Sequence, residues 1–387
     1  MVHRLRCVIN VGYGIIGENL DLYEDISIEI ENGIITHIGR GFRRDCKRVF
    51  TFPDGIAMPL LTNAHVHTGD YVVPEVGSDL YIDDLVGEPY GIKYLMLKKY
   101  SSYLQSAISS FLKSALLSGT YVIVDFREGG VKGLKIGIEA CRDIPIKYIP
   151  LGMPIERTPQ ELDKELNELL RLTKGIALSS PLYYSDELLN IIANKVINYK
   201  ERIISAHISE TEETWERKDL EYLLEYIKPN QIVHGIYLSE SELQLLKDLG
   251  TYLIMCPRAN FWFVGKYPPI DKIYELGVKV ALGTDNSGWI KPSIWRDMEI
   301  IASIMRSKLG TIDPNWILKA AILGGPESVK VEPPLIDEGQ KAYLMVLSGP
   351  LFPIKSAHDK KLAIIKRGGP ESLALIVIED NVIIFHK

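Results

Sequence analysis

The sequence predicts an α/β protein, a (β/α)8 TIM-like barrel with a small composite β-sandwich domain built from both chain ends. Three observations predict it. Apolar runs of four to eight residues alternate with longer helical patterns through the middle of the chain, the grammar of parallel strands with crossover helices. Eight such runs fall within about 270 residues, which suits a closed barrel better than an open sheet. Strand-rich segments with tight turns lie at both ends. A length of 387 residues, with 46% hydrophobic and 24% charged, leaves room for a barrel and an appendage around a substantial core.

The elements follow in order. Residues 1–56 read as short strands. Leu22 to Glu31 alternates loosely, Asn32-Gly33 supplies the positive φ angles of a hairpin turn, and Ile34 to Ile38 returns. Residues 57–334 carry the eight runs: Ala57–Ala64, Tyr121–Phe126, Ile146–Gly152, Gly175–Ser180, Arg202–Ala206, Gln231–Val233, Thr251–Met255 and Lys279–Leu282. Helical patterns between them include Pro159–Thr173, Asp186–Tyr199, Asp219–Ile227 and Ser239–Leu249. Residues 335–387 return to strands at Lys341–Leu347, Leu362–Lys366 and Leu373–Phe385, the last containing the turn Glu379-Asp380-Asn381. They complete one β domain with residues 1–56.

Composition excludes several classes. A net charge of −6 without a Lys/Arg stripe argues against a nucleic-acid binder. No apolar stretch approaches about 18 residues, so no membrane span is expected, and the N-terminus lacks the apolar core of a secretory signal. Cys7, Cys46, Cys141 and Cys256 are too scattered for a disulfide framework, which suits a reducing cytoplasm. What remains is a folded protein for which the cytoplasm is the simplest setting, compatible with a homodimer.

In such a barrel the chemistry sits where strands end. Of eight histidines, four fall there: His65 and His67 after the first run, His207 after the fifth and His234 after the sixth, with Asp285 after the eighth. His65 and His67 alternate on one strand and so face the same way. Singly, each residue reads as well as a hydrogen-bonded core histidine or, for Asp285, a helix cap. Together they favour a metal such as Zn²⁺ or Fe²⁺, with room for a water, and a hydrolytic reaction.

The segments MPLLTNAHVH (58–67), SAHISE (205–210), VHG (233–235), CPRAN (256–260) and GTDN (283–286) make the chain resemble the amidohydrolase superfamily. Within it, they point to the chlorohydrolase and aminohydrolase branch of cytosine, guanine and S-adenosylhomocysteine deaminases and triazine hydrolases. IEIENGIITHIGRG and IDEGQKAYLMVL look like the two halves of that branch's composite β domain. The resemblance implies that His65, His67, His207 and Asp285 hold one divalent metal, zinc before iron, with Glu210, His234 and Asp285 moving protons and orienting water. The fourth run has no lysine to bridge a second metal. The implied reaction is hydrolytic deamination of a small nitrogen heterocycle by a metal-bound hydroxide; cyclic amide or carbon–halogen hydrolysis, and a non-catalytic scaffold, are the alternatives. Among mouth-loop residues, Arg127, Glu156 and Trp289 are candidate substrate contacts, Arg127 against the alternative of an ion pair with Glu128 or Glu156. Gly129-Gly130 is read as a flexible pair that lets Arg127 fold over the mouth. Cys256 is read as packing, and His3, His37, His358 and His386 as ordinary residues of the β domain.

Overall fold

The structure, a computed structural model, describes residues 6–197 and 201–385; His3 and His386 lie outside them. Two sheets organise the described residues. The outer one runs in the order β16-β15-β14-β4-β1-β2-β3. Its N-terminal strands are β1 (Arg6–Ile16), β2 (Asp21–Glu31), β3 (Ile34–Arg40) and β4 (Arg48–Pro59), and its C-terminal ones β14 (Tyr343–Leu347), β15 (Leu373–Ile378) and β16 (Asn381–Ile384). β14 pairs antiparallel with β4, which joins the two chain ends into one domain. The β2–β3 turn has φ of 52° at Asn32 and 75° at Gly33, as a tight hairpin requires.

The inner sheet is parallel, in the order β12-β11-β10-β9-β8-β7-β6-β5-β13. Its strands are β5 (Leu61–His67), β6 (Thr120–Arg127), β7 (Lys147–Gly152), β8 (Gly175–Leu178), β9 (Ile203–Ile208), β10 (Gln231–His234), β11 (Tyr252–Met255), β12 (Val280–Leu282) and β13 (Asp285–Asn286). β12 and β13 are two halves of one eighth strand. β12 pairs with β11, whereas β13 pairs with β5, so the eighth strand closes the barrel. At the break, Gly283 N–H donates to Met255 O and Thr284 N–H to His65 O, each at 3.0 Å. Only glycine fits there, because a Cβ on Gly283 would lie 2.8 Å from His65 Cβ and 2.9 Å from Cys256 Sγ.

Strands buried on both faces explain the continuous apolar runs. Val122, Val124 and Phe126 of β6 pack inside the barrel with Ile149, Leu151 and Ile254, while Ile123 faces the helix-covered outer core. Helices Pro159–Leu172, Asp186–Ile197, Asp219–Leu224 and Glu240–Leu249 lie where the apolar periodicity predicts them.

Two assignments differ. Ala57–Pro59, read as the start of the first barrel strand, belongs to β4 and pairs with β14, and the barrel strand begins at Leu61. Leu362–Lys366, read as a strand, lies in the helix Lys360–Arg367: Leu362 N–H donates to the capping Asp359 Oδ1 at 2.9 Å, and Ala363, Ile364 and Ile365 are buried. A short apolar run does not reveal its period, and the Asp cap decided this one.

Candidate metal centre

Each candidate side chain is delivered by a strand end. β5 carries His65 and His67, β9 carries His207, β10 ends in His234, and β13 begins with Asp285. Three residues at this end hold positive φ: Ser209 at 49°, His234 at 76° and Asp285 at 61°. Such conformations are uncommon outside glycine and cost about 1–3 kcal/mol each, so the surrounding structure holds them against local preference. The Ser209 turn is pinned by Asp219, which accepts from Ser209 N–H at 2.6 Å and from its hydroxyl at 2.8 Å. It places Glu210 on the cavity wall.

The donor atoms converge. His65 Nε2 lies 3.1 Å from Asp285 Oδ1 and 3.4 Å from His207 Nε2, and His67 Nε2 lies 3.6 Å from Asp285 Oδ1. Ligand atoms about 2.0–2.1 Å from one ion are separated by about 2.9–3.4 Å, close to these edges. Asp285 Oδ2 is buried without a hydrogen-bond partner in the structure, a costly state that a cation relieves. The donor set of imidazoles and one carboxylate therefore fits one divalent metal.

Four residues bring donor atoms within 4.8 Å of one another: His65, His207, His234 and Asp285. That group has His234 where the sequence reading has His67. The outer ring nitrogens separate the two. His67 Nδ1 faces Glu128 Oε1 at 2.5 Å, and His207 Nδ1 faces the Ser179 carbonyl at 3.0 Å. Facing pure acceptors, both Nδ1 atoms must carry the proton, which leaves Nε2 bare and aimed at the cluster. His234 Nδ1 instead meets the Asn260 side-chain amide at 2.7 Å, and its Nε2 lies 3.5 Å from Glu210 Oε1.

Burial holds the His65 and His207 imidazoles well below the ordinary histidine value and takes His234 down to about 3, so all three are neutral near pH 7. Burial, then the charge of Asp285, pushes the Glu210 carboxyl well above the usual range. Burial likewise keeps Cys256 a thiol, in line with packing. A cavity of about 270 Å³ opens over the cluster, with Lys93, Tyr94, Asp83 and Tyr183 on its walls beside Glu210.

The three expected substrate contacts do not line this cavity. Arg127 is fully buried at the end of β6, where Asp125, Glu128 and the Thr68 hydroxyl surround its guanidinium. It is an ion-pair residue with Glu128, the alternative weighed above. Gly129 and Gly130, at φ of 84° and 57°, turn the chain into the helix Gly130–Cys141 and do not swing Arg127 outward. Glu156 offers its backbone N–H to Glu165 Oε2 at 3.0 Å on the loop after β7. Trp289 donates its indole N–H to Val76 O at 2.9 Å and borders a separate groove with Tyr71 and Lys113. Sequence reasoning missed Lys93 and Asp70, which have no motif around them. It also passed over Asn260, although CPRAN contains it.

The amidohydrolase family model matches residues 56–376. An uncharacterized protein of Methanocaldococcus jannaschii is 32% identical over 345 residues, covering 84% of this chain and 86% of that one. A 5-methylthioadenosine/S-adenosylhomocysteine deaminase of Thermococcus sibiricus is 24% identical over 374 residues, 89% of this chain and 85% of that one. Among solved structures, the zinc complex of atrazine chlorohydrolase from Arthrobacter aurescens superposes with a TM-score of 0.82 at 16% identity, over 98% of this chain and 95% of that one, a likeness of fold. Closed barrel, composite β domain, strand-end histidines and family match together make this chain a member of the amidohydrolase family.

Proposed function

We propose that the chain is a metal-dependent aminohydrolase that deaminates a small nitrogen heterocycle by hydrolysis, with one zinc ion as cofactor. The observation that carries this reading is the convergence of buried imidazoles and Asp285 beneath a cavity whose wall bears Glu210, a carboxyl that burial pushes well above the usual range. The name of the Thermococcus sibiricus relative and the zinc in the Arthrobacter aurescens structure support the reaction class and the metal.

His65, His67, His207 and Asp285 would hold the ion. His67 is preferred to His234 because the Glu128 carboxylate fixes its tautomer with Nε2 bare, a carboxylate–imidazole–metal arrangement. When bound, the ion supplies Lewis acidity and makes water a nucleophile near neutral pH. Asp285, with Oδ2 free, accepts a proton from the attacking water. Glu210 gives its proton to a ring nitrogen as the carbon becomes tetrahedral, takes the hydroxyl proton as the carbonyl forms and delivers it to the departing amine, and the proton that Asp285 took from water then restores Glu210. His234 faces the same space and steadies the developing oxygen charge. Ammonia leaves and a carbonyl remains.

Metal analysis combined with ammonia release across a panel of purines, pyrimidines and pterins tests the proposal. Ammonia from at least one heterocycle, dependent on bound metal, is the expected result. Halide or ring-opened products in place of ammonia would move the chain to the related hydrolyses, and bound metal without any turnover would favour a scaffold. The same proposal has the enzyme act in the cytoplasm, compatible with a homodimer, on free heterocycles and not on nucleic acid. Its net charge of −6 supports the last point. Among the described residues no helix is long and apolar enough to cross a membrane.

A further inference from the structure

Between β5 and β6 the chain leaves the barrel and crosses the cavity as two short helices, Ile82–Val86 and Ile92–Lys99. This cover contributes Asp83, Val86, Glu88, Lys93 and Tyr94 to the cavity wall. Two ties fasten it. At the rim, Glu88 accepts from Arg157 Nη2 at 2.7 Å and from the Ser179 hydroxyl. The other tie is Lys93, a lysine only 2% exposed at the second position of its helix.

Lys93 Nζ lies 2.7 Å from Glu128 Oε1, the same oxygen that faces His67 Nδ1. It also lies 3.2 Å from Asp70 Oδ2, which accepts from Asn286 Nδ2 at 2.8 Å, and Asn286 directly follows Asp285. One ammonium thus touches the carboxylates that hold both flanks of the centre, His67 on one side and the Asp285-Asn286 strand on the other. Arg127 already occupies the second oxygen of Glu128, but among the described ion pairs Asp70 has Lys93 alone. Removing that charge would leave Asp70 a buried carboxylate without a cation and free the oxygen of Glu128 that orients His67.

We propose that Lys93 is a positioning residue that couples the 82–99 cover to the metal centre: it holds Glu128 and Asp70, and through them His67 and Asp285. The inference rests on the metal reading above and concerns metal affinity, not turnover. Outer partners of metal-bound histidines are typically worth about 10–100-fold in affinity, and a cover tied to them should tighten when metal binds.

The test is zinc titration of the purified chain against a competing chelator, with hydrogen exchange of residues 82–99 followed with and without zinc. Lys93→Met should weaken zinc by about 10–100-fold. Zinc should slow exchange across 82–99 in the wild type, whereas Arg157→Met, which removes the rim ion pair with Glu88 from outside the cavity, should bind zinc as the wild type does. A folded Lys93→Met chain with wild-type zinc affinity would overturn the coupling, as would an equal loss in Arg157→Met. If Lys93→Met does not fold, the wild-type exchange decides, and zinc-independent exchange over 82–99 overturns the proposal. A wild-type chain that binds no zinc would remove the metal reading itself, and this inference with it.

Discussion

His67 and His234 carry the same ring but opposite outer partners, a carboxylate for one and an amide for the other, and this difference predicts different phenotypes. His67→Ala should lose most of its metal, whereas His234→Ala should keep it and lose turnover. Elemental analysis after chelator dialysis distinguishes them, and metal loss confined to His234→Ala would exchange the two roles. Glu210 stands on the cavity wall beside His234 without belonging to the donor cluster. Glu210→Gln should therefore retain metal while kcat falls by about 10²–10⁴, the range for a lost general acid–base group. Steady-state kinetics on the heterocycle found in the panel would measure it, and unchanged turnover would remove Glu210 from the proton path.

At the level of elements, the end of β6 and the turn after β9 do structural work for the centre. Arg127 lies among Asp125, Glu128 and Thr68 with no exposed surface. Arg127→Met leaves the buried Asp125 without its cation and Glu128 with Lys93 alone, and chemical denaturation should show a loss of about 3–5 kcal/mol, the cost of breaking a buried pair from one side. In the turn after β9, burial pushes the Asp219 carboxyl up to about 6 despite its hydrogen bonds from Ser209. The unfolded carboxyl titrates near about 3.9. Between these values the folded chain holds a proton that the unfolded chain has lost, so this group's contribution to stability falls as pH rises from about 4 to about 6. Asp219→Asn cannot titrate. The stability of the wild type relative to that variant should decline by about 2–3 kcal/mol across this window in urea titrations, then level off above it. A flat difference would mean that Asp219 is as acidic as an exposed carboxyl.

For the whole molecule, the donors come from strands on separate sides of the barrel and from the segment that closes it. A metal held as proposed by β5, β9 and β13 would fasten parts of the chain more than 200 residues apart. Such a ligand binds the folded chain far better than the unfolded one, so free zinc at about 100 times its Kd should add about 2.7 kcal/mol to apparent stability. Scanning calorimetry with and without a chelator should therefore show a zinc-dependent rise in Tm for the wild type and little or none for His67→Ala.

Much of this architecture was legible because its signals are periodic or positional. Eight apolar runs marked the barrel strands, since strands buried on both faces leave no polar alternation. His65, His67, His207, His234 and Asp285 stood out because each ends such a run. The limits of β4 and the identity of residues 360–367 were not legible, because four to six apolar residues suit either period until a partner strand or a cap chooses. Arg127 illustrates the larger limit. Its place after a strand suggested the mouth, but whether a guanidinium faces solvent or a pair of carboxylates depends on Asp125, on Glu128 and on Thr68 from the loop after β5. Lys93 was silent for the same reason: nothing in GIKYLMLKK distinguishes it from the lysines at 98 and 99. The sequence by itself determined the order of strands and the residues at their ends, because local periodicity and chain order carry that information. Which histidine meets a carboxylate, which arginine is sealed away and which lysine reaches the centre were decided only by the closed barrel, because those contacts join residues that chain order keeps apart.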